Sequence, residues 1–143
     1  MSATNSFETA LLNLIFNGTT IAGIADNTAL APYTAYYISL HTADPGETGS
    51  QSTSETSYGS YARVAVNRNS GGWTVSGNQA SNTAEIDFAQ NTSGTPTITH
   101  VGLGTDASGT GTLLLSNALS TPLVMQLGMT PLFSIGQLVF TVD

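Results

Sequence analysis

The sequence predicts an all-β protein, a jelly roll or related β-sandwich of about eight strands with one N-terminal helix. Three observations predict it. Apolar residues recur at helical spacing only near the start of the chain. From Pro32 onward the apolar spacing switches to period two. The segments that follow are short and separated by Gly, Pro, Asn and Ser turns, without the helical crossovers that a parallel α/β sheet needs. The 143 residues fit one domain, read as a helical N-terminal segment over 1–31 and a β-sandwich over 32–143. A chain of this length buries roughly two-thirds of its unfolded surface and folds without a metal or disulfide staple.

The helix comes first. Asn5 is placed to cap it and Glu8 follows three residues later, as in a capping box. Phe7, Leu11, Leu14 and Ile15 recur at helical spacing, Leu12 and Phe16 widen the apolar face, and Gly18 supplies the stop. Residues 21–31 are small and weakly apolar, either a second short helical turn or an extended connection, ended by Pro32. Tyr36, Ile38 and Leu40 then alternate with Tyr37, Ser39 and His41 as a strand. Residues 42–60 form a long loop rich in Gly, Ser and Thr, with a Pro45-Gly46 turn signal; loops of this length are usually functional or flexible.

Strand patterning resumes over 61–67, with Ala62, Val64 and Val66 on one face. Asn69-Ser70-Gly71-Gly72 makes a turn, and Trp73-Thr74-Val75 starts a returning strand. Ala84, Ile86 and Phe88 alternate with Thr83, Glu85 and Asp87. Further strands are expected over 97–103, 113–115 and 124–127, and Leu138, Phe140 and Val142 mark the last. The expected core is Ile38, Leu40, Val64, Val66, Trp73, Ile86, Phe88, Leu138 and Phe140. There is no internal repeat, no linker and no coiled-coil heptad.

The charge balance excludes whole classes of partner. Only 8% of residues are charged, the net charge is −7, and the two cations are Arg63 and Arg68. Gripping nucleic acid takes several phosphate-neutralising cations, and adsorption to anionic lipid needs a basic cluster. Neither a nucleic acid nor a membrane is therefore an expected partner. The chain is nevertheless 40% hydrophobic, with its polarity carried by neutral hydroxyls and amides. Such a surface packs against protein without desolvating charge, though abundant Thr also simply favours strands. No cation precedes residue 5, and the apolar run 11–16 is too short to span a bilayer, so synthesis in the cytoplasm is expected. The glycosylation patterns at Asn17 and Asn91 are read as chance matches.

No convergent chemistry emerges. Without cysteine there is no thiol nucleophile or Cys metal site. His41-x-x-Asp44, with His100 as a third donor, is the nearest approach to a metal site, but lone strand histidines are usually structural. There is no G-x-S-x-G elbow, and Glu85 and Asp87 share one strand face instead of facing each other across a cleft. Gly102-Leu103-Gly104-Thr105-Asp106-Ala107 matches G-x-G-x-x-A, but no helix pattern follows to hold a pyrophosphate, so it reads as a hairpin turn. Trp73 and Tyr33, Tyr36, Tyr37, Tyr58 and Tyr61 read as core or interface anchors, with sugar stacking as the other use. The expectation is a non-enzyme with no catalytic, cofactor-binding or metal-binding residues.

Residues 37–49 (Tyr37-Ile38-Ser39-Leu40-His41-Thr42-Ala43-Asp44-Pro45-Gly46-Glu47-Thr48-Gly49), residues 61–66, residues 72–78 with Ser81-Asn82, and the Ile15-Phe16-Asn17-Gly18 helix end together resemble small virion structural proteins of tailed bacteriophages. The resemblance runs in order along most of the chain. It implies a virion component, either a capsid cement or decoration protein with a jelly-roll fold or a tail-fibre-like protein. The absence of repeats and coiled-coil stalks favours cement: a compact body on the capsid surface, a dimer or trimer, bridging major capsid proteins with the N-terminal segment and the 42–60 loop as arms. Binding only the assembled lattice would stabilise it by linkage. A tail-fibre or baseplate-associated host-recognition protein is the alternative.

Overall fold

The computed structural model describes residues 5–21, 25 and 32–142. Among them are one helix and nine strands, in antiparallel sheets of four, three and two strands. This is the all-β class with a single N-terminal helix that the sequence predicts, and the strands and sheets are consistent with an all-β sandwich. The chain divides into two compact units, one from Met1–Thr34, Asn67–Ile86 and Phe133–Asp143, the other from Ala35–Val66 and Asp87–Leu132.

In the first unit, helix α1 (Asn5–Asn17) packs on strands β3 (Trp73–Ser76) and β4 (Gln79–Asn82), and β4 also pairs with β9 (Val139–Thr141). Strands β3 and β4 form a hairpin, Trp73 opposite Asn82 and Ser76 opposite Gln79, closed by Gly77-Asn78 with Gly77 at φ 60°. That two-residue turn with a leading left-handed glycine matches the twist of the strands. The core is an aromatic cluster. Phe16 meets Trp73 edge-on at 4.7 Å between centroids and stacks near Phe140 at 6.0 Å. The helix therefore buries Glu8, Leu12 and Phe16, while Phe7 is exposed and Leu11, Leu14 and Ile15 are only half-buried. The expected helix face is turned, because Phe16 is drawn between Trp73 and Phe140. The α1 C-terminus is capped by Arg68, whose Nε donates to the Ile15 carbonyl at 2.5 Å and whose Nη2 donates to that of Leu14. A cation there satisfies orphan carbonyls and suits the helix dipole. The capping side chain of Asn5 and the 21–31 connection, apart from Ile21 and Ala25, lie outside what the structure describes.

The second unit is built on the sheet β2–β1–β6–β7, with β1 (Ala35–His41) and β6 (Thr97–Gly104) central and β2 (Val64–Asn67) and β7 (Leu113–Val124) at the edges. The β1–β6 register sets Tyr37 opposite Gly104 and His41 opposite His100. Strand β1 buries both faces: Tyr36, Ile38 and Leu40 on one, Ser39 and His41 on the other. The 42–60 loop is part of the reason. It is not a free arm. Thr42 N–H donates to the Ser54 carbonyl at 2.8 Å, Thr56 N–H to that of Leu40 at 2.9 Å, and Gln51 is fully buried.

Of the expected core, all but Val64 is buried, and Val64 is half-buried. The strand boundaries differ more. The expected strands at 113–115 and 124–127 are one strand, β7, ending at Val124. Strands β4 and β8 (Leu132–Phe133, paired with β5, Ile86–Asp87) carry too few alternating apolar residues to be read from sequence.

Candidate interaction surface

The residues with chemical potential are placed to support the fold. His41 is fully buried, with Nδ1 2.8 Å from the Thr53 carbonyl oxygen and Nε2 2.8 Å from Ser39 Oγ. A carbonyl only accepts, so Nδ1 carries the proton and Nε2 accepts from the serine hydroxyl. Burial holds the imidazole below its ordinary value, opposed by the Thr53 carbonyl and by Glu55. Asp44 is exposed and accepts from Gly46 N–H at 2.9 Å. His100 takes a 2.9 Å bond between its Nδ1 and Thr99 Oγ1. Among the described residues no group of three or more His, Asp or Glu is placed to hold a metal. Glu85 and Asp87 are exposed on either side of buried Ile86.

Gly102 and Gly104 lie inside strand β6, and the expected hairpin turn begins just after them, where Thr105 N–H donates to the Thr112 carbonyl at 3.1 Å between antiparallel β6 and β7. A Cβ on Gly102 would stand 2.7 Å from His41 Nε2 and from Ser39 Oγ, and one on Gly104 would stand 2.0 Å from the Gln51 carboxamide carbon. The glycines thus clear room for the polar side chains of Ser39 and His41 on β1 and of Gln51 in the 42–60 loop. Gln51 Oε1 accepts from Asp106 N–H at 2.9 Å, fixing the turn that follows β6.

Neither arginine is left for a polyanion. Arg63 forms a two-pronged pair with Glu55 at 2.7 Å on each prong, and also donates to the carbonyls of Asp106 and Gly109. Tyr61 donates its hydroxyl to the same Glu55 at 2.8 Å and accepts from Leu40 N–H; burial pushes its ionisation up, so the phenol keeps its proton. Arg68 is spent on the helix end. Trp73, Tyr36 and Tyr58 are buried, Tyr61 stacks on Phe88, and Tyr33 alone of the tyrosines is exposed among the described residues.

One long stretch of the chain is uncharged. Residues 107–142 contain no Asp, Glu, Lys, Arg or His. Leu114, Val124, Leu127, Leu132 and Ile135 are exposed within that stretch, and among the described residues only Phe7 and Tyr33 are comparable outside it. Two of these aliphatics sit on matched turns, one in each unit. In the second unit, Met129 N–H returns to the Gln126 carbonyl at 3.2 Å with Gly128 at φ 82°, placing Leu127 at the tip. In the first, Gln137 N–H returns to that of Ser134 at 3.0 Å with Gly136 at φ 74°, placing Ile135 at the tip. Glycine is required at both because the turn needs positive φ in its third position. Each turn is pinned by a buried asparagine: Asn91 Nδ2 donates to the Gln126 carbonyl and Asn82 Nδ2 to that of Ser134, both at 3.0 Å. Gly128 and Gly136 N–H return to the backbone carbonyls of the same asparagines, both at 2.9 Å. The tips are therefore held rigid.

The family described as Podophage GP4 fiber I protein gp80 matches residues 2–141. The chain belongs to that family. No curated protein matches it. A member of the gp80 fiber family is a phage virion structural protein, so that part of the expectation holds. The family's description is of a fibre, and the capsid-cement specificity finds no support in it.

Sequence reasoning overlooked the uncharged stretch of this gp80-family chain, although the signal lies in plain view as a run without charged residues up to Val142. The turn pins were less accessible. Asn91 sits in a glycosylation-like triplet and Asn82 in a polar run, and only the fold brings them to turns some 35 and 52 residues away.

Proposed function

We propose that this chain is a non-enzymatic structural component of a podophage fibre. The match of residues 2–141 to the gp80 fiber family carries this reading. The surface supports it. Both cations are committed to internal carbonyls and to Glu55, while the exposed aliphatic side chains gather in an uncharged stretch. Neutral apolar contacts rimmed by hydroxyls and amides suit permanent protein–protein packing inside a virion, where no charge need be desolvated. Its partners are other virion proteins. The chemistry in the interior is consumed in holding turns and loops, which is what a rigid building block requires.

Gold labelling of purified virions with an antibody to the protein tests the reading. Label on the fibres is expected. Label spread over the shell would assign the protein to the capsid surface instead, as a decoration protein on the major capsid protein.

A further inference from the structure

We infer that His41 is an acid-sensitive latch on the 42–60 loop: a proton added to its imidazole lets residues 42–54 lift from the sheet while the sheet itself stays folded. The ring is fully buried and ties two elements together. Its Nδ1–H donates to the Thr53 carbonyl in the loop, and its Nε2 accepts from Ser39 Oγ on β1, both at 2.8 Å. Those are the roles of a neutral ring. A second proton makes Nε2 a donor, so the Ser39 hydroxyl must turn its own proton elsewhere. Ser39 is fully buried, and among the described residues its Oγ has no other partner. The displaced hydroxyl proton is therefore stranded, together with a buried positive charge.

The surroundings do not neutralise that charge. Glu55, Arg63 and His100 are the charged or titratable groups around the ring. Glu55 is the anion among them, but Arg63 holds both of its oxygens and Tyr61 donates to one. Arg63 repels an imidazolium, and His100, opposite His41 on β6, repels it once protonated itself. Strand β7, next to β6, contains no charged residue.

The loop is poised to move. Ser54, beside Thr53, has φ 54°, a left-handed conformation that side-chain-bearing residues rarely adopt. It is clamped there by Thr42, whose N–H and Oγ1 both donate to the Ser54 carbonyl, at 2.8 and 3.2 Å. Just after it the chain stays tied, through Thr56 N–H on the Leu40 carbonyl and through Glu55 on Arg63. The part free to lift is therefore 42–54, with Gln51 leaving Asp106. Within it, Asp44, Gly46, Glu47 and Gly49 form one wall of a concavity whose other wall is Leu113–Ser116 of β7. Lifting removes that wall, so acid changes the surface offered to a partner there. The latch stands whether the protein is on the fibre or on the shell.

Hydrogen exchange of the full chain, resolved to single amides across pH 7.5 to 5, tests the inference. Thr42 and Asp106 are the reporters, since their N–H groups donate to the Ser54 carbonyl and to Gln51 Oε1 in the loop. Thr105 is the control, because its N–H bonds to the Thr112 carbonyl within the β6–β7 hairpin. An exposed histidine takes its proton near pH 6.5 and the latched one only below that, so the proton favours the open loop. Corrected for intrinsic rates, protection of Thr42 and Asp106 should fall by up to about tenfold per pH unit below 6.5 and level off once the latched ring is protonated too. Both should exchange faster than Thr105 and respond little to low urea, as a local opening exposes little surface. His41→Asn, which keeps a donor for Thr53, should abolish the pH dependence at both reporters, and the wild-type series decides the matter if that variant does not fold. Protection at Thr42 and Asp106 indifferent to pH, exchange there no faster than at Thr105, or a fall that persists in folded His41→Asn would overturn the latch.

Discussion

Leu138 donates its backbone N–H to Asn82 Oδ1 at 2.9 Å, and Asn82 N–H returns to the Leu138 carbonyl at 3.2 Å. Through the same side chain, Nδ2 reaches the carbonyls of Ala84 and Ser134 at 2.7 and 3.0 Å. One fully buried carboxamide thus replaces a stretch of sheet ladder, and it leaves several backbone groups stranded if removed.

Asn82→Ala should therefore destabilise the protein by about 2–3 kcal/mol, the penalty of burying unsatisfied polar groups. Asn91→Ala should behave alike, since its Nδ2 serves Gly94 and Gln126 and its Oδ1 accepts from Ser93 N–H. Chemical denaturation measures both. A loss below about 0.5 kcal/mol at both sites would mean that water takes over the pins.

Phe16 and Phe140 share the aromatic cluster with Trp73, all nearly fully buried. Truncating either phenylalanine to alanine should cost roughly 3–5 kcal/mol. Phe7→Ala, on the exposed side of the same helix, should change stability by less than about 0.5 kcal/mol. Equal losses at positions 7 and 16 would show the helix face to be assigned wrongly.

Gly104 and Gln51 should be coupled. A Cβ at 104 stands 2.0–2.4 Å from three atoms of the Gln51 side chain, so Gly104→Ala should destabilise by about 1–3 kcal/mol. Removing the obstacle with Gln51→Ala should make the second substitution milder, a coupling of about 1 kcal/mol in a double-mutant cycle. Strict additivity would contradict the close approach.

Burial holds His41 neutral and below its ordinary value, with Arg63 and His100 acting in the same sense and Glu55 against it. The unfolded chain then binds the proton more readily than the folded one. Stability from this group is complete above about pH 6.5, falls as pH drops through that value, and levels off below the depressed folded pKa. The melting temperature should drop between pH 7.5 and 5, and His41→Asn, which keeps a donor for the Thr53 carbonyl, should flatten that slope. An unchanged slope in the variant would assign the titration to another group.

The fold class was legible because period-two patterning survives wherever a strand has one covered face, as at Ile86 and at Leu138 and Phe140. It failed where structure rests on polar residues. Strand β4, Gln-Ala-Ser-Asn, offers a single apolar side chain, yet it is central to its sheet because its backbone pairs on both sides. The 42–60 loop looked free because its anchors, His41, Gln51 and Tyr58, are separated in sequence from the carbonyls and glycines that receive them. The helix was found but rotated, since no pattern within it signals that Trp73 and Phe140 wait for Phe16. The interaction surface was readable only as an absence of charge.

The central claim is that the protein belongs to a fibre of the virion. Its copy number relative to the major capsid protein, measured by quantitative mass spectrometry of purified particles, tests this most directly. The account predicts a small count, a low multiple of the tail's rotational symmetry and far below the major capsid protein. A count that rises in step with the major capsid protein would contradict it and assign the chain to the shell.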